Sequence, residues 1–199
     1  MIEVLKYFLI FLHVLLKQSW VRGARYEFLL ENDAIFDVCP DIPGNNGIHD
    51  LLDMKDLTIE YREGSVNVNG NVTTIWEGVD PTDIVRQSAD LLKFRRGDWQ
   101  PTLLSMKAPD FCSVQFDPTR VWYQTWAKHI PKEDRKCLNV YGNIYHYNDV
   151  TLDTIFDFGA YMEGRYKIVT RFNAIDRLTK QQRPKAICFQ MLGEFIKVK

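Results

Sequence analysis

Four cysteines, Cys39, Cys112, Cys137 and Cys188, constrain this chain more than any other feature, because their number is even and all lie beyond an N-terminal apolar run. That run, Tyr7–Leu16, is preceded by Lys6 and followed by polar residues and Val21-Arg22-Gly23, the pattern of a secretory signal peptide cleaved near Gly23 and Ala24. It is too short to span a bilayer at roughly 20 residues per crossing. The expected product is a secreted, extracellular chain: residues 1–23 are the signal and residues 24–199 a single domain. In that setting four cysteines imply two disulfides with three possible pairings. We favour Cys39 with Cys188, tying the first strand to the last, and Cys112 with Cys137, enclosing the helix in a covalent loop that restrains the unfolded chain. No zinc spacing is present, so neither a metal nor a cofactor is expected.

Between Cys112 and Cys137, residues Val121, Trp122, Thr125, Trp126, His129 and Ile130 share one helical face, with Pro118 in the first turn and Pro131 as the stop. The rest reads as short strands. Tyr26 to Cys39 alternates loosely, DIPGNNGIHD is a loop, and Leu57–Tyr61 is a strand. Val66, Val68 and Val72 alternate with polar residues, with Gly70 marking a bulge. Ile84–Phe94 fits a strand or a helix and is assigned to a strand because a Gly97-Asp98 turn follows. Trp99–Met106, Val140–Tyr147, Thr151–Phe158, Arg165–Asn173 and Ala186–Val198 complete the set, with Asp176–Lys185 as a long hairpin loop. Along Arg165–Asn173, Tyr166, Ile168, Thr170 and Phe172 face one way. Many strands and one short helix predict an all-β antiparallel sandwich.

Residues 1–23 carry a net charge of +2, from Lys6, Lys17, Arg22 and Glu3, so the chain goes from −1 to −3 without them. That balance argues against nucleic acid as a partner. Asn71-Val72-Thr73 is a glycosylation sequon, expected in a surface loop. There is no G-x-S-x-G, H-E-x-x-H or Gly-rich phosphate loop, and His49, His129 and His146 have no nucleophile at a recognisable spacing, so the chain is not expected to be an enzyme. What remains is a wealth of large aromatics: Trp76, Trp99, Trp122, Trp126, Tyr145, Phe156, Phe158, Tyr161, Phe172 and Phe189. Together with Phe94 and Leu104 they are the candidate ligand-binding residues of a cavity between splayed sheets. The alternative is that they fill an ordinary core.

The run GDWQPTLLSMKAPDFC, then a short aromatic helix, KHIPKEDRKC, EGRYKIVTRF and a terminal aliphatic strand resembles the insect CheA and CheB chemosensory proteins. These are similar in turn to the ganglioside activator protein and the ML lipid-recognition proteins. The likeness covers roughly residues 30–197 and is anchored on Gly97, Pro101, Asp110, Cys112, Cys137, Gly164 and Tyr166. It implies an immunoglobulin-like sandwich opening into a hydrophobic pocket, and a secreted protein that binds a lipid or lipid-like pheromone and presents it to a chemosensory receptor. Two departures bear on the pocket mouth and ligand class. The ganglioside activator has more cysteines, and many relatives place proline where Leu138 stands. The competing expectation is a secreted glycoprotein with a filled core, acting on an extracellular receptor without a ligand.

Overall fold

The computed structural model describes residues 23–31, 35–40 and 46–198, so the expected signal segment before Gly23 lies outside the described residues. Eleven strands are described: β1 (Ala24–Leu30), β2 (Asp37–Val38), β3 (Leu52–Asp53), β4 (Leu57–Arg62), β5 (Ser65–Thr74), β6 (Ile84–Arg95), β7 (Asp98–Ala108), β8 (Ile144–Asp153), β9 (Ile155–Phe158), β10 (Gly164–Ile175) and β11 (Ile187–Lys197). The larger sheet has the order β7-β6-β10-β11-β1-β9, and β2 pairs with β11 beyond the end of β1. In the smaller sheet β5 is central, with β3 and β4 along one edge and β8 along the other. All these pairings are antiparallel, giving the expected all-β, disulfide-stapled sandwich.

Both expected disulfides are present. Cys39–Cys188 joins the end of β2 to β11, and Cys112–Cys137 joins the first short helix to the loop before β8. The ambiguous Ile84–Phe94 stretch is a strand, folded back on β7 through Arg96 and Gly97, whose φ angles of 54° and 83° suit the two-residue turn that matches strand twist. Gly70 sits at an irregularity in the β5–β8 register with φ 116°, and a Cβ there would lie 1.9 Å from the Asp56 carbonyl oxygen. Only glycine fits that approach.

Three expectations need correction. The helix is shorter than its apolar pattern suggests: α1 (Phe111–Val114) and α2 (Val121–Thr125) are single turns, and Ala127–His129 is a separate 3-10 turn. Thr125 Oγ1 bonds back to the Val121 and Trp122 carbonyls, Val121 is 56% exposed, and Pro118 lies in the turn ahead of α2 rather than inside it. Second, Val140–Tyr147 and Thr151–Phe158 are not two separate strands. Val140–Asn143 is a turn held by Thr74, whose hydroxyl donates to the Val140 carbonyl and whose carbonyl accepts from Gly142 N at 2.7 Å. The strand then runs unbroken from Ile144 to Asp153. The break falls at Thr154, which donates to Gly64 in the smaller sheet and accepts from Phe28 in the larger, so the chain changes sheets there. Third, Asn71 is exposed but lies on β5, not in a loop.

Candidate functional site

The two faces of the larger sheet follow from register. Tyr166, Ile168, Thr170 and Phe172 of β10 lie opposite Lys93, Leu91, Ala89 and Gln87 of β6, and this is the inner face. The main core packs on one end of it: Val85, Phe172, Ala174, Ile187 and Phe189 meet Val68, Val72, Tyr145 and Val150 of the smaller sheet, with Trp76, Phe111, Trp122 and Ile130 filling the side. A second, separate cluster occupies the other end, built from Tyr26, Met162, Tyr166 and Phe195 with Phe28, Leu91, Phe156 and Phe158.

The twelve aromatic and aliphatic candidates divide accordingly. Trp76, Trp122, Tyr145, Phe172 and Phe189 are buried in the main core, and Trp126 is half-buried against it. Their polar atoms are satisfied there: Trp76 Nε1 donates to Lys185 O at 2.9 Å, Trp122 Nε1 to Val114 O at 3.1 Å, and the Tyr145 hydroxyl to Lys136 O at 2.7 Å. Rings meet edge-on or tilted, with Phe111 centred 5.3 Å from both Trp122 and Phe172. Burial pushes the Tyr145 phenol up to about 12 against opposing hydrogen bonds, and raises that of its neighbour Tyr147 as well.

Phe156 and Phe158 belong to the second cluster. Tyr161 beside it is 69% exposed, with the Lys93 ammonium 5.3 Å from its ring centre. Phe94 and Trp99 pair at 5.1 Å near the β6–β7 turn, under the Arg165 guanidinium. Leu104, on edge strand β7, is 44% exposed. The structure thus brings six candidates to one core, two to the second cluster, and leaves four at the periphery.

Between the clusters lies a seam that the aromatic inventory passes over. Two successive rows cross the inner face there, Ala89–Thr170–Phe189 and Leu91–Ile168–Met191. Ala89 and Thr170 are small, and Ile168 and Met191 are half-buried yet belong to neither cluster. From Phe172 to Tyr166 this spans about 20 Å at strand rise.

The opposite face carries Lys167, Val169 and Arg171, and a cleft of about 350 Å³ opens over them, walled by Leu92, Pro101, Cys39 and Gln190. The sequence held a signal for it, because valine between two cations on the phase opposite Phe172 marks an outer face that is not simply solvated.

Of the histidines, His146 Nδ1 lies 2.8 Å from Asp134 Oδ2, and burial, then Lys128, lowers the pKa of His129 against the pull of Asp153. Among the described residues no group of three or more His, Cys, Asp or Glu is placed to hold a metal ion, and no helix is long and apolar enough to cross a membrane. No protein-family model matches the chain, and no curated protein matches it. The anchors of the resemblance have structural roles here: Gly97 and Gly164 take positive φ, Asp110 stands at the N-cap position of α1 with its carbonyl accepting from Ser113 Oγ, and Tyr166 is buried in the second cluster.

Proposed function

We propose that the chain is a secreted, non-enzymatic carrier that holds one hydrophobic small molecule, a lipid or lipid-like pheromone, between its sheets and presents it in chemosensation. The observation that carries this reading is the seam, where the core divides into two clusters and leaves Ile168 and Met191 half-buried over small Ala89 and Thr170. An apolar chain laid along it would gain roughly 25 cal/mol for each Å² removed from water, with few polar anchors required. Two disulfides and an apolar N-terminal run are compatible with secretion. The CheA/CheB resemblance supplies the chemosensory setting.

The test is native mass spectrometry with lipid extraction on protein secreted from insect cells, with Ala89→Leu as the paired variant. The carrier reading expects one apolar molecule per chain, lost in the variant while its melting temperature holds. A second reading, a surface-acting glycoprotein with a filled core, is favoured by the close ring packing around Phe111. It expects an apo mass after challenge with lipids and hydrocarbons, and a variant destabilised by about 1–3 kcal/mol through overpacking.

A further inference from the structure

Among the described residues, one buried side-chain polar atom on the strands that carry the seam has no hydrogen-bond partner: Oε1 of Gln87, on β6. Two successive rows cross the inner face here, Ala108–Gln87–Phe172–Ile187 and Met106–Ala89–Thr170–Phe189, so Gln87 stands one row from the small residues Ala89 and Thr170 and on their face. The residue is only 7% exposed. Three other buried oxygens share its state, Asp110 Oδ1, Gln115 Oε1 and Asn139 Oδ1, but none lies on β6, β10 or β11. A buried acceptor of this kind is uncommon in a folded protein and costs stability until a donor reaches it. Resting on the inter-sheet carrier reading, we infer that the molecule held in the seam is a long-chain alcohol whose hydroxyl donates to Gln87 Oε1.

The surroundings select that head. The other side chains of the two rows are uncharged, and so are Val68, Val72, Tyr145 and Val150, which the smaller sheet packs against this end of the face. An ammonium or a carboxylate placed among them would be desolvated without a counter-charge. An ionised carboxylate also has no hydrogen to give, and neither has an ester, an ether or a hydrocarbon, whereas a hydroxyl is neutral and donates. The tail follows the face past Ala89, Leu91, Ile168 and Met191 to the second cluster around Tyr166. From Gln87 to Lys93, which lies opposite Tyr166, β6 runs about 20 Å at strand rise, the reach of an extended hexadecyl chain. The rival orientation would set an acid head against Lys93. There the ammonium already donates to the Glu163 carbonyl at 2.8 Å and lies 4.9 Å from the Tyr166 ring centre and 5.3 Å from that of Tyr161.

The experiment uses the full secreted chain, delipidated and offered equimolar pairs on cyclodextrin, hexadecanol with hexadecyl methyl ether and hexadecanol with palmitate, after which the bound fraction is extracted and quantified. Hexadecanol is expected to be enriched about ten-fold or more over the ether, which nearly matches its length but lacks the hydrogen, and over palmitate. Gln87→Met keeps the size and removes the acceptor, so alcohol and ether should then bind within about two-fold of each other. The same variant without ligand should melt no lower than the parent, because no unpartnered oxygen is left to bury. Ala89→Leu should lose alcohol and ether alike. Equal uptake of alcohol and ether by the parent chain, an alcohol preference that survives in Gln87→Met, a Gln87→Met chain that melts below the parent, or preferential uptake of palmitate would each overturn the alcohol assignment and leave the carrier standing. Uptake of none of the three molecules, or uptake undiminished in Ala89→Leu, would overturn carrier and assignment together, so the two failures are told apart.

Discussion

The two disulfides close loops of very different length, and this yields a quantitative ordering. Cys112 and Cys137 are 25 residues apart, and Cys39 and Cys188 are 149 apart. In the chain-entropy model the shorter loop restrains the unfolded chain by about 3.5 kcal/mol and the longer by about 5 kcal/mol. For a domain of roughly 175 residues, unfolding entropy converts these into melting-temperature losses of about 10 °C and about 14 °C. Packing acts in the same direction, because Cys39 and Cys188 are buried with Val169 whereas Cys112 and Cys137 are half-buried at the edge of the main core. The paired variants Cys112→Ala/Cys137→Ala and Cys39→Ala/Cys188→Ala, followed by circular dichroism on heating, should show both losses in that order. An equal loss, or a larger one for the short loop, would refute the reasoning and mean that the region from α1 to β8 unfolds as its own unit, with the clip acting on the native state.

Three further outcomes are expected. Burial holds the Tyr145 phenol neutral up to about pH 12, while an unfolded chain releases that proton near its ordinary value of about 10. The Tyr145 contribution is therefore constant below pH 10 and falls by about 2–3 kcal/mol between pH 10 and 12, with Tyr147 adding to the loss in the same direction, and Tyr145→Phe should make the alkaline fall in a denaturant titration shallower. Gly70→Ala forces a Cβ against the Asp56 carbonyl at positive φ and should cost about 3 kcal/mol or more, read as a lowered urea midpoint at unchanged slope. Protein secreted from insect cells should carry one N-glycan that Asn71→Gln removes, seen as a single mass shift, because Asn71 is exposed on β5.

The fold was largely legible because period-two patterning is a local signal. Tyr166, Ile168, Thr170 and Phe172 face the core as their spacing requires, and Gly70 marks its irregularity. Where the reading slipped, the deciding contacts are distant in sequence. Thr74 fixes the turn at Val140–Asn143, and Gly64 with Phe28 fixes the sheet change at Thr154, none of which spacing within residues 140–158 encodes. The aromatic inventory points to hydrophobic mass, but mass fills space, so rings collect where packing is complete, and the seam between the two clusters is marked by small residues instead. Ala89 and Thr170 attract no notice in sequence, and they become informative only once register sets them between two clusters.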